Sequence, residues 1–195
     1  MSRRKKIEPN IVLTIDIHGY SNIAMVVRQK EKILSFAHVE KLSSNYYNIR
    51  KMVIERMMLL YREYNFDTII FEQNQLFIDK IDRHPDPLVY RNIVLGFGIG
   101  IAIEDNFYKS VPYILEIPEL EWRKYILNNT TKYSIDLYKS HILSQEQLSE
   151  QELNIIEQNN YYKVLCISES IWFDKLIDRR YQINEGNWSK WRKMI

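Results

Sequence analysis

Apolar residues in the first forty positions follow the short, β-branched runs that are typical of strands. Three such runs, separated by brief polar connections, predict an antiparallel three-stranded meander. The first run carries Asp16 close to its end and is followed by Gly19, which indicates a buried strand that leads into a turn. The predicted strands cover residues 11–17, 23–27 and 32–39.

The pattern then changes to helical spacing and back. Apolar residues on one face predict a helix over 48–64, and a short apolar strand over 66–71 ends at Glu72. Small residues interrupt the next predicted helix at Gly96, Gly98, Gly100 and Ala102, so we expect it to approach a neighbouring element closely. The remaining predictions are a helix over 88–107, a strand over 111–117, and helices over 122–127, 134–143, 147–158 and 169–179, the last with Ser168 as its N-cap.

This order of elements predicts one α/β domain over residues 1–195, with a basic arm over 1–9 and a basic, aromatic tail over 181–195. Apolar residues make up 46% and charged residues 27%, which is ordinary globular usage. The formal net charge is only +2, so binding to a polyanion requires that the basic residues gather on one face.

Several classes of protein are disfavoured by the residue usage. Cys166 is the only cysteine, which excludes an internal disulfide and a zinc site built from cysteines. The longest apolar stretch, 93–103, is too short to span a bilayer, and no signal-peptide pattern precedes the first strand. We therefore expect a soluble intracellular protein with no membrane partner, located in the cytoplasm, or in the host cytoplasm if the source is viral.

Two carboxylates stand at the ends of predicted buried strands, Asp16 and Glu72. A charge at the end of an apolar strand is costly unless it meets a cation or hydrogen-bond donors. If the two strands are neighbours, their ends meet on one side of the sheet, and hard oxygen ligands there suit Mg²⁺ or Mn²⁺. The alternative is that each acid only forms a turn or caps a helix.

The meander with Asp16, the following helix, and the strand that ends Phe71-Glu72-Gln73 resemble the RuvC-type Holliday-junction resolvases, closest to their viral branch, which includes the poxvirus enzymes. The glycine-rich segment 91–102 is similar to the helix that follows the glutamate in that family. The resemblance implies an α/β, RNase H-like fold, in which a mixed five-stranded sheet joins the antiparallel meander to parallel strands and is flanked by helices.

The resemblance also implies roles for later residues. Lys132 matches the family's lysine near the scissile phosphate, and Glu169 matches the second acid of its terminal Asp-x-x-Asp pair, whereas the first falls on Cys166. Asp174 or Asp178 would serve instead if the alignment slips. The metal ligands would then be Asp16, Glu72 and Glu169, with Lys132 completing the catalytic set. The candidate DNA-binding residues are Arg123, Lys124, Lys132, Lys190 and Arg192.

The expected function is therefore Mg²⁺- or Mn²⁺-dependent nicking of four-way DNA junctions by a homodimer, which leaves a 5′-phosphate and a 3′-hydroxyl. Three alternatives remain. Cys166 favours a junction-binding protein with weakened catalysis. Other RNase H-like nucleases, such as those that cleave RNA·DNA hybrids, use the same carboxylates. Residues 16–22 resemble the phosphate loop of actin-like ATPases, but those need a longer chain, so no nucleotide cofactor is expected.

Overall fold

The computed structural model describes residues 10–18, 22–30, 32–40, 45–73 and 87–118, together with residues 150, 153, 154, 166, 167 and 170. Their ordered elements are five strands and two long helices, namely β1 (Val12–His18), β2 (Asn22–Gln29), β3 (Lys32–Glu40), α1 (Tyr46–Tyr64), β4 (Thr68–Gln73), α2 (Pro87–Phe107) and β5 (Tyr113–Pro118).

The five strands form one mixed sheet in the order β3-β2-β1-β4-β5. The meander β1-β2-β3 is antiparallel, and β4 and β5 join it in parallel with β1. A parallel neighbour needs a crossover connection, which α1 supplies between β3 and β4, and α2 supplies between β4 and β5. The mixed five-stranded α/β architecture predicted from the sequence is confirmed.

One face of the sheet packs against both helices. Successive side chains of a strand lie on opposite faces, and Leu13, Ile15 and Ile17 of β1 belong to the buried cluster that also includes residues of α1 and α2. Within that cluster the rings of Tyr61, Phe66 and Phe107 contact one another, with the centroids of Tyr61 and Phe66 5.0 Å apart. This ring cluster joins α1, the start of β4 and the end of α2.

The opposite face of the central strands is buried as well. Val12, Thr14 and Asp16 of β1 are at most 5% exposed, although their side chains point away from α1 and α2. Cys166, Ile167 and Ser170 are also buried, and the Cys166 thiol donates a hydrogen bond to the Thr14 carbonyl oxygen at 3.5 Å. The central strand is therefore buried on both faces, and we call the side with Thr14, Asp16 and Cys166 the second face.

The structure differs from two predicted details. β1 continues to His18, one residue past its predicted end, and β4 continues to Gln73, so Glu72 lies inside its strand instead of ending it. Cys166 and Ile167 are helical, and Ser168, the predicted N-cap, lies outside the described residues. A Cβ on Gly100 would lie 3.1 Å from the Phe71 ring, as close approach predicts, but a Cβ on Gly98 would meet nothing within 4 Å.

Candidate metal centre

Asp16 is the carboxylate that the structure describes at the centre of the sheet. It lies on β1, the middle strand, and only 1% of it is exposed. Two residues earlier on the same face, the Thr14 hydroxyl is buried, and its Oγ1 has no hydrogen-bond partner among the described residues. The second face therefore presents a carboxylate and a hydroxyl, both hard oxygen donors, in a setting with little water.

The register of the parallel strands brings position 72 next to position 16. Thr14 pairs with Ile70 and Ile15 with Phe71, so the next position on β1 is Asp16 and the next on β4 is Glu72. Neighbouring strands lie about 4.8 Å apart, so the backbone carries these two acids side by side. The condition set in the sequence argument, that the two strands be neighbours, is met, since β1 and β4 pair in parallel. The side chain of Glu72 lies outside the described residues.

A buried arginine connects the terminal region to the same sheet. Arg28 of β2 is 5% exposed, and its Nη1 donates to Ser170 Oγ at 3.5 Å. Ser170 Oγ in turn donates to the Ile167 carbonyl oxygen at 2.7 Å, as expected within one helical turn. Cys166 thus contacts β1, and Ser170 contacts β2 through Arg28.

Sequence reasoning missed Arg28. It follows directly on the predicted strand 23–27 and looks like an ordinary end-of-strand charge. The structure extends β2 through it, and the strand register shifts between Val27 and Arg28. Its signal in the sequence is weak, because its hydrogen bonds depend on the fold: the guanidinium donates to the Lys30 carbonyl oxygen after β2 and to Ser170 Oγ, 142 positions away.

Several predicted site residues lie outside the described residues, so their placement stays a prediction. They are Glu169, Lys132, the alternative ligands Asp174 and Asp178, and the candidate DNA-binding residues Arg123, Lys124, Lys190 and Arg192. The chain neighbours of Glu169 are informative nevertheless. Cys166, Ile167 and Ser170 are helical and buried, and Cys166 contacts the same strand that carries Asp16.

Cys166 is a packing residue in this arrangement. Its thiol is fully buried and donates to a main-chain carbonyl, which is the role of a neutral thiol. A carboxylate at this position would place a second oxygen close to the Thr14 carbonyl oxygen, and the two acceptors would repel unless a cation or proton lay between them.

The donor chemistry of the second face fits a hard divalent cation. Among the described side chains, no three His, Cys, Asp or Glu residues form a metal-binding group. The two described oxygen donors are the Asp16 carboxylate and the Thr14 hydroxyl. With the carboxylates of positions 72 and 169, the set would consist of oxygen ligands, as Mg²⁺ and Mn²⁺ require.

A second acidic pair lies elsewhere. Burial, and then the nearby carboxylate of Glu104 on α2, raise the pKa of Glu116 on β5 above its ordinary value. Glu116 is paired with Phe71, whose ring belongs to the core, so this carboxylate lies on the helix-covered face and not on the second face. It therefore does not belong to the Asp16 site.

In the described part of the chain, none of the helices combines the length and apolar character that a membrane crossing requires. No protein-family model matches the sequence. No curated protein matches it either.

The fold resembles solved structures of Holliday-junction resolvases. RuvC from Thermus thermophilus matches with 12% identity and a TM-score of 0.52, over 85% of this chain and 96% of RuvC. The same protein in complex with a Holliday junction substrate matches with 11% identity and a TM-score of 0.53, over 85% of this chain and 95% of that one. The yeast mitochondrial Holliday junction resolvase Ydc2 matches with 16% identity and a TM-score of 0.60, over 90% of this chain and 83% of Ydc2.

At identities this low the likeness concerns the fold, and the predicted resemblance to the viral branch stays a prediction. The shared architecture is nevertheless extensive, since each match covers most of both chains. The chain has the mixed-sheet, RNase H-like fold seen in RuvC and in the yeast mitochondrial resolvase.

Proposed function

We propose that this protein is a divalent-metal-dependent endonuclease that resolves four-way DNA junctions as a homodimer. The observation that carries the proposal is the parallel register of β1 and β4, which sets Asp16 and position 72 side by side at the centre of the sheet. The likeness to the two solved resolvases supports branched DNA as the substrate.

Each residue has a defined task in this proposal. Asp16, Glu72 and Glu169 would hold Mg²⁺ or Mn²⁺, which when bound supplies an activated water and neutralises charge on the scissile phosphate. Thr14 would add a buried hydroxyl oxygen to the same face. Arg28 and Cys166 would support Glu169, because the hydrogen bonds of Arg28 with Ser170 and of Cys166 with Thr14 hold its chain neighbours against the sheet. Lys132 would stabilise the negative charge that develops on the phosphate, and Arg123, Lys124, Lys190 and Arg192 would bind the DNA backbone.

The proposal is tested with a synthetic four-way junction and three competing substrates: a linear duplex, an RNA·DNA hybrid and single-stranded DNA. We expect Mg²⁺- or Mn²⁺-dependent nicks on opposing strands of the junction, with ends that ligate directly because they carry a 5′-phosphate and a 3′-hydroxyl. Cleavage of the hybrid in preference to the junction would instead establish an RNase H-like nuclease that acts on RNA·DNA hybrids. Absence of cleavage on every substrate in both metals would refute a nuclease.

A second candidate, a junction-binding protein with weakened catalysis, is favoured by the buried Cys166 thiol. That thiol stands where the resemblance places an aspartate, so the site would have one anionic ligand fewer. Junction binding that persists while cleavage is absent or very slow would distinguish this candidate from the first.

Substituting the thiol tests its packing role. We expect Cys166→Asp in EDTA to lower the free energy of unfolding by about 2–4 kcal/mol, because a carboxylate is then buried against the Thr14 carbonyl oxygen. Mn²⁺ should restore part of this loss if the new carboxylate faces the metal site. Denaturant unfolding with and without Mn²⁺ measures both effects.

The control is Cys166→Ser, whose hydroxyl can donate to the same carbonyl oxygen and should cost no more than about 1–2 kcal/mol. If Cys166→Asp is as stable as the wild type in EDTA, the described contact with Thr14 does not govern this position.

A further inference from the structure

A histidine lies on the second face in the same cross-strand row as Asp16. Asp16 of β1 pairs with Ala24 of β2, and Ala24 pairs in turn with His38 of β3. Residues directly opposite each other in antiparallel strands place their side chains on the same face of the sheet. The register shift between β2 and β3 lies at Val27 and Arg28, so it does not disturb this row. His38 therefore stands on the second face, two strands away from Asp16.

The row is buried. Asp16 and Ala24 are 1% and 0% exposed, and His38 is half-buried with its Nε2 atom inside the protein. A buried carboxylate needs hydrogen-bond donors or cations to compensate for the water it has lost. An imidazole N–H is a donor of this kind. A histidine whose ring nitrogen is turned away from solvent thus suits a partner on the second face.

The residue between the two polar side chains is small. Ala24 adds only a methyl group to the second face, so the imidazole and the carboxylate can lean toward each other above it. In the neighbouring row, Val26 separates Thr14 from Phe36. Strands β1 and β3 lie about 10 Å apart, which is twice the spacing of neighbouring strands. An aspartate and a histidine with one water molecule between them span that distance.

His38 and position 72 flank Asp16 on opposite sides. Position 72 is next to Asp16 on β4, whereas His38 lies on the other side, beyond β2. A cation shared with Glu72 would bind the Asp16 oxygen on the β4 side, and the other oxygen would then lie on the β2 side. We propose that His38 is a positioning residue of the metal centre, whose imidazole holds this second oxygen through one water molecule and fixes the orientation of the Asp16 carboxylate.

The expected consequence of this contact is tighter metal binding. A carboxylate that is already oriented loses less conformational freedom when a cation binds. Removal of such partners of metal ligands typically costs 10–100-fold in metal affinity or activity. His38 contacts neither the cation nor DNA in this arrangement, so cleavage at saturating metal should stay near the wild-type rate when His38 is replaced. The inference rests on the proposed function, because it concerns the same cation.

The test measures Mn²⁺ binding by the full chain without DNA, from the electron paramagnetic resonance signal of the free ion. His38→Phe keeps a ring and removes both nitrogens, and we expect it to raise the dissociation constant 10–100-fold. His38→Gln keeps an N–H donor, and its dissociation constant should lie within about 3-fold of the wild-type value.

Two results would overturn the proposal. The first is wild-type Mn²⁺ affinity in His38→Phe, even if its free energy of unfolding in EDTA is lower, because a residue that only packs changes stability and not metal binding. The second is equal weakening of Mn²⁺ binding in His38→Phe and His38→Gln, because the hydrogen bond would then not be the cause.

The matched control is Phe36→Leu. Phe36 lies two positions before His38 on the same face of β3 and is also half-buried. Its substitution should lower the free energy of unfolding but leave the dissociation constant of Mn²⁺ within about 2-fold of the wild-type value. Equal weakening of Mn²⁺ binding by Phe36→Leu and His38→Phe would mean that any disturbance of β3 affects the site, which contradicts a specific role of His38.

Enlarging the middle residue tests the path of the contact. Ala24→Val places a bulkier side chain between His38 and Asp16 and should weaken Mn²⁺ binding about tenfold. In a chain that already carries His38→Phe, the same substitution should add no more than about 2-fold. An equal effect in both chains would show that Ala24 does not act through His38 and would count against the proposal. If Ala24→Val does not fold, the comparison of His38→Phe with His38→Gln decides alone.

Cleavage assays on the same proteins separate this inference from the proposed function. If His38→Phe weakens Mn²⁺ binding but the wild type cuts no substrate, the role of His38 is supported and the nuclease is refuted. If the wild type cuts junctions and His38→Phe binds Mn²⁺ with unchanged affinity, the nuclease is supported and the role of His38 is refuted.

Discussion

Replacing Asp16 by asparagine is expected to lower junction cleavage about a thousandfold or more, while junction binding persists. The reason is the position of Asp16 in the sheet. Asp16 lies on the middle strand, is 1% exposed and adjoins position 72 in the sheet, so no other described carboxylate can take its place. Asparagine preserves the shape of the side chain and removes the charge that a divalent cation requires. Single-turnover cleavage and binding to the same labelled junction provide the two measurements.

A readout other than activity strengthens this test. Mn²⁺ at a hundred times its dissociation constant should stabilise the wild-type fold by about 2.7 kcal/mol, because it binds only the folded chain. Asp16→Asn should lose most of that gain, and Glu72→Gln should behave in the same way. If Asp16→Asn cleaves junctions at the wild-type rate, the centre of the sheet is not the catalytic site.

The control for the charge change is Glu55→Gln. Glu55 is an exposed carboxylate on α1 that forms a 3.8 Å salt bridge with Lys51, and both side chains are about 60% exposed. Surface pairs of this kind contribute little to stability. Cleavage and the Mn²⁺-dependent stabilisation should therefore both match those of the wild type.

Replacing Phe66 by alanine is expected to lower the free energy of unfolding by about 3–5 kcal/mol. Phe66 is 1% exposed, and its ring contacts those of Tyr61 and Phe107, so truncation leaves a cavity where α1, β4 and α2 meet. Equilibrium unfolding in urea measures the change. The midpoint should fall, and the slope should stay constant if the compactness of both end states is unchanged.

Two further variants define the scale of that effect. Phe66→Leu keeps most of the volume and should cost less than about 1.5 kcal/mol. Tyr108→Ala truncates a ring that is 58% exposed, and it should change stability by no more than about 0.5 kcal/mol. A loss below 1 kcal/mol for Phe66→Ala would mean that the ring cluster does not connect the helices to the sheet.

Much of the fold was predictable because its strands have strong local signals. The β-branched runs of β1, β2 and β3 and the helical spacing of α1 lead to the observed elements without knowledge of the tertiary structure. The ends of the strands were less predictable, since β1 and β4 extend past their predicted last residues to His18 and Gln73. Burial of a carboxylate inside a strand depends on what covers the second face, and local sequence does not report that.

The glycines of α2 also show how far the sequence alone predicts packing. Composition indicated one role for all of them, close packing of the helix. The structure separates them, because Gly100 faces the Phe71 ring whereas a Cβ on Gly98 would meet nothing within 4 Å. Helical spacing gives the angle of each residue around the axis, but which angle meets the sheet depends on packing.

The neighbouring positions of the two acids in the sheet were predictable, and the contacts around them were not. Two acids in apolar strands are a visible anomaly, and the parallel pairing of β1 with β4 follows from the helix between them. The contacts of Arg28 with Ser170 and of Cys166 with Thr14 join residues 142 and 152 positions apart. Such pairings depend on the final fold, and no short sequence motif indicates them.

The half-buried Glu116 has a consequence for solubility. Within the described sheet β5 is the outermost strand beyond β4, and an outermost strand exposes main-chain groups that can recruit strands from other molecules. Glu116 lies on the inward side of β5, and its raised pKa reflects the cost of its partial desolvation. If a strand of another molecule paired with β5, this carboxylate would lose more of its water. Glu116 therefore disfavours aggregation at this edge of the sheet.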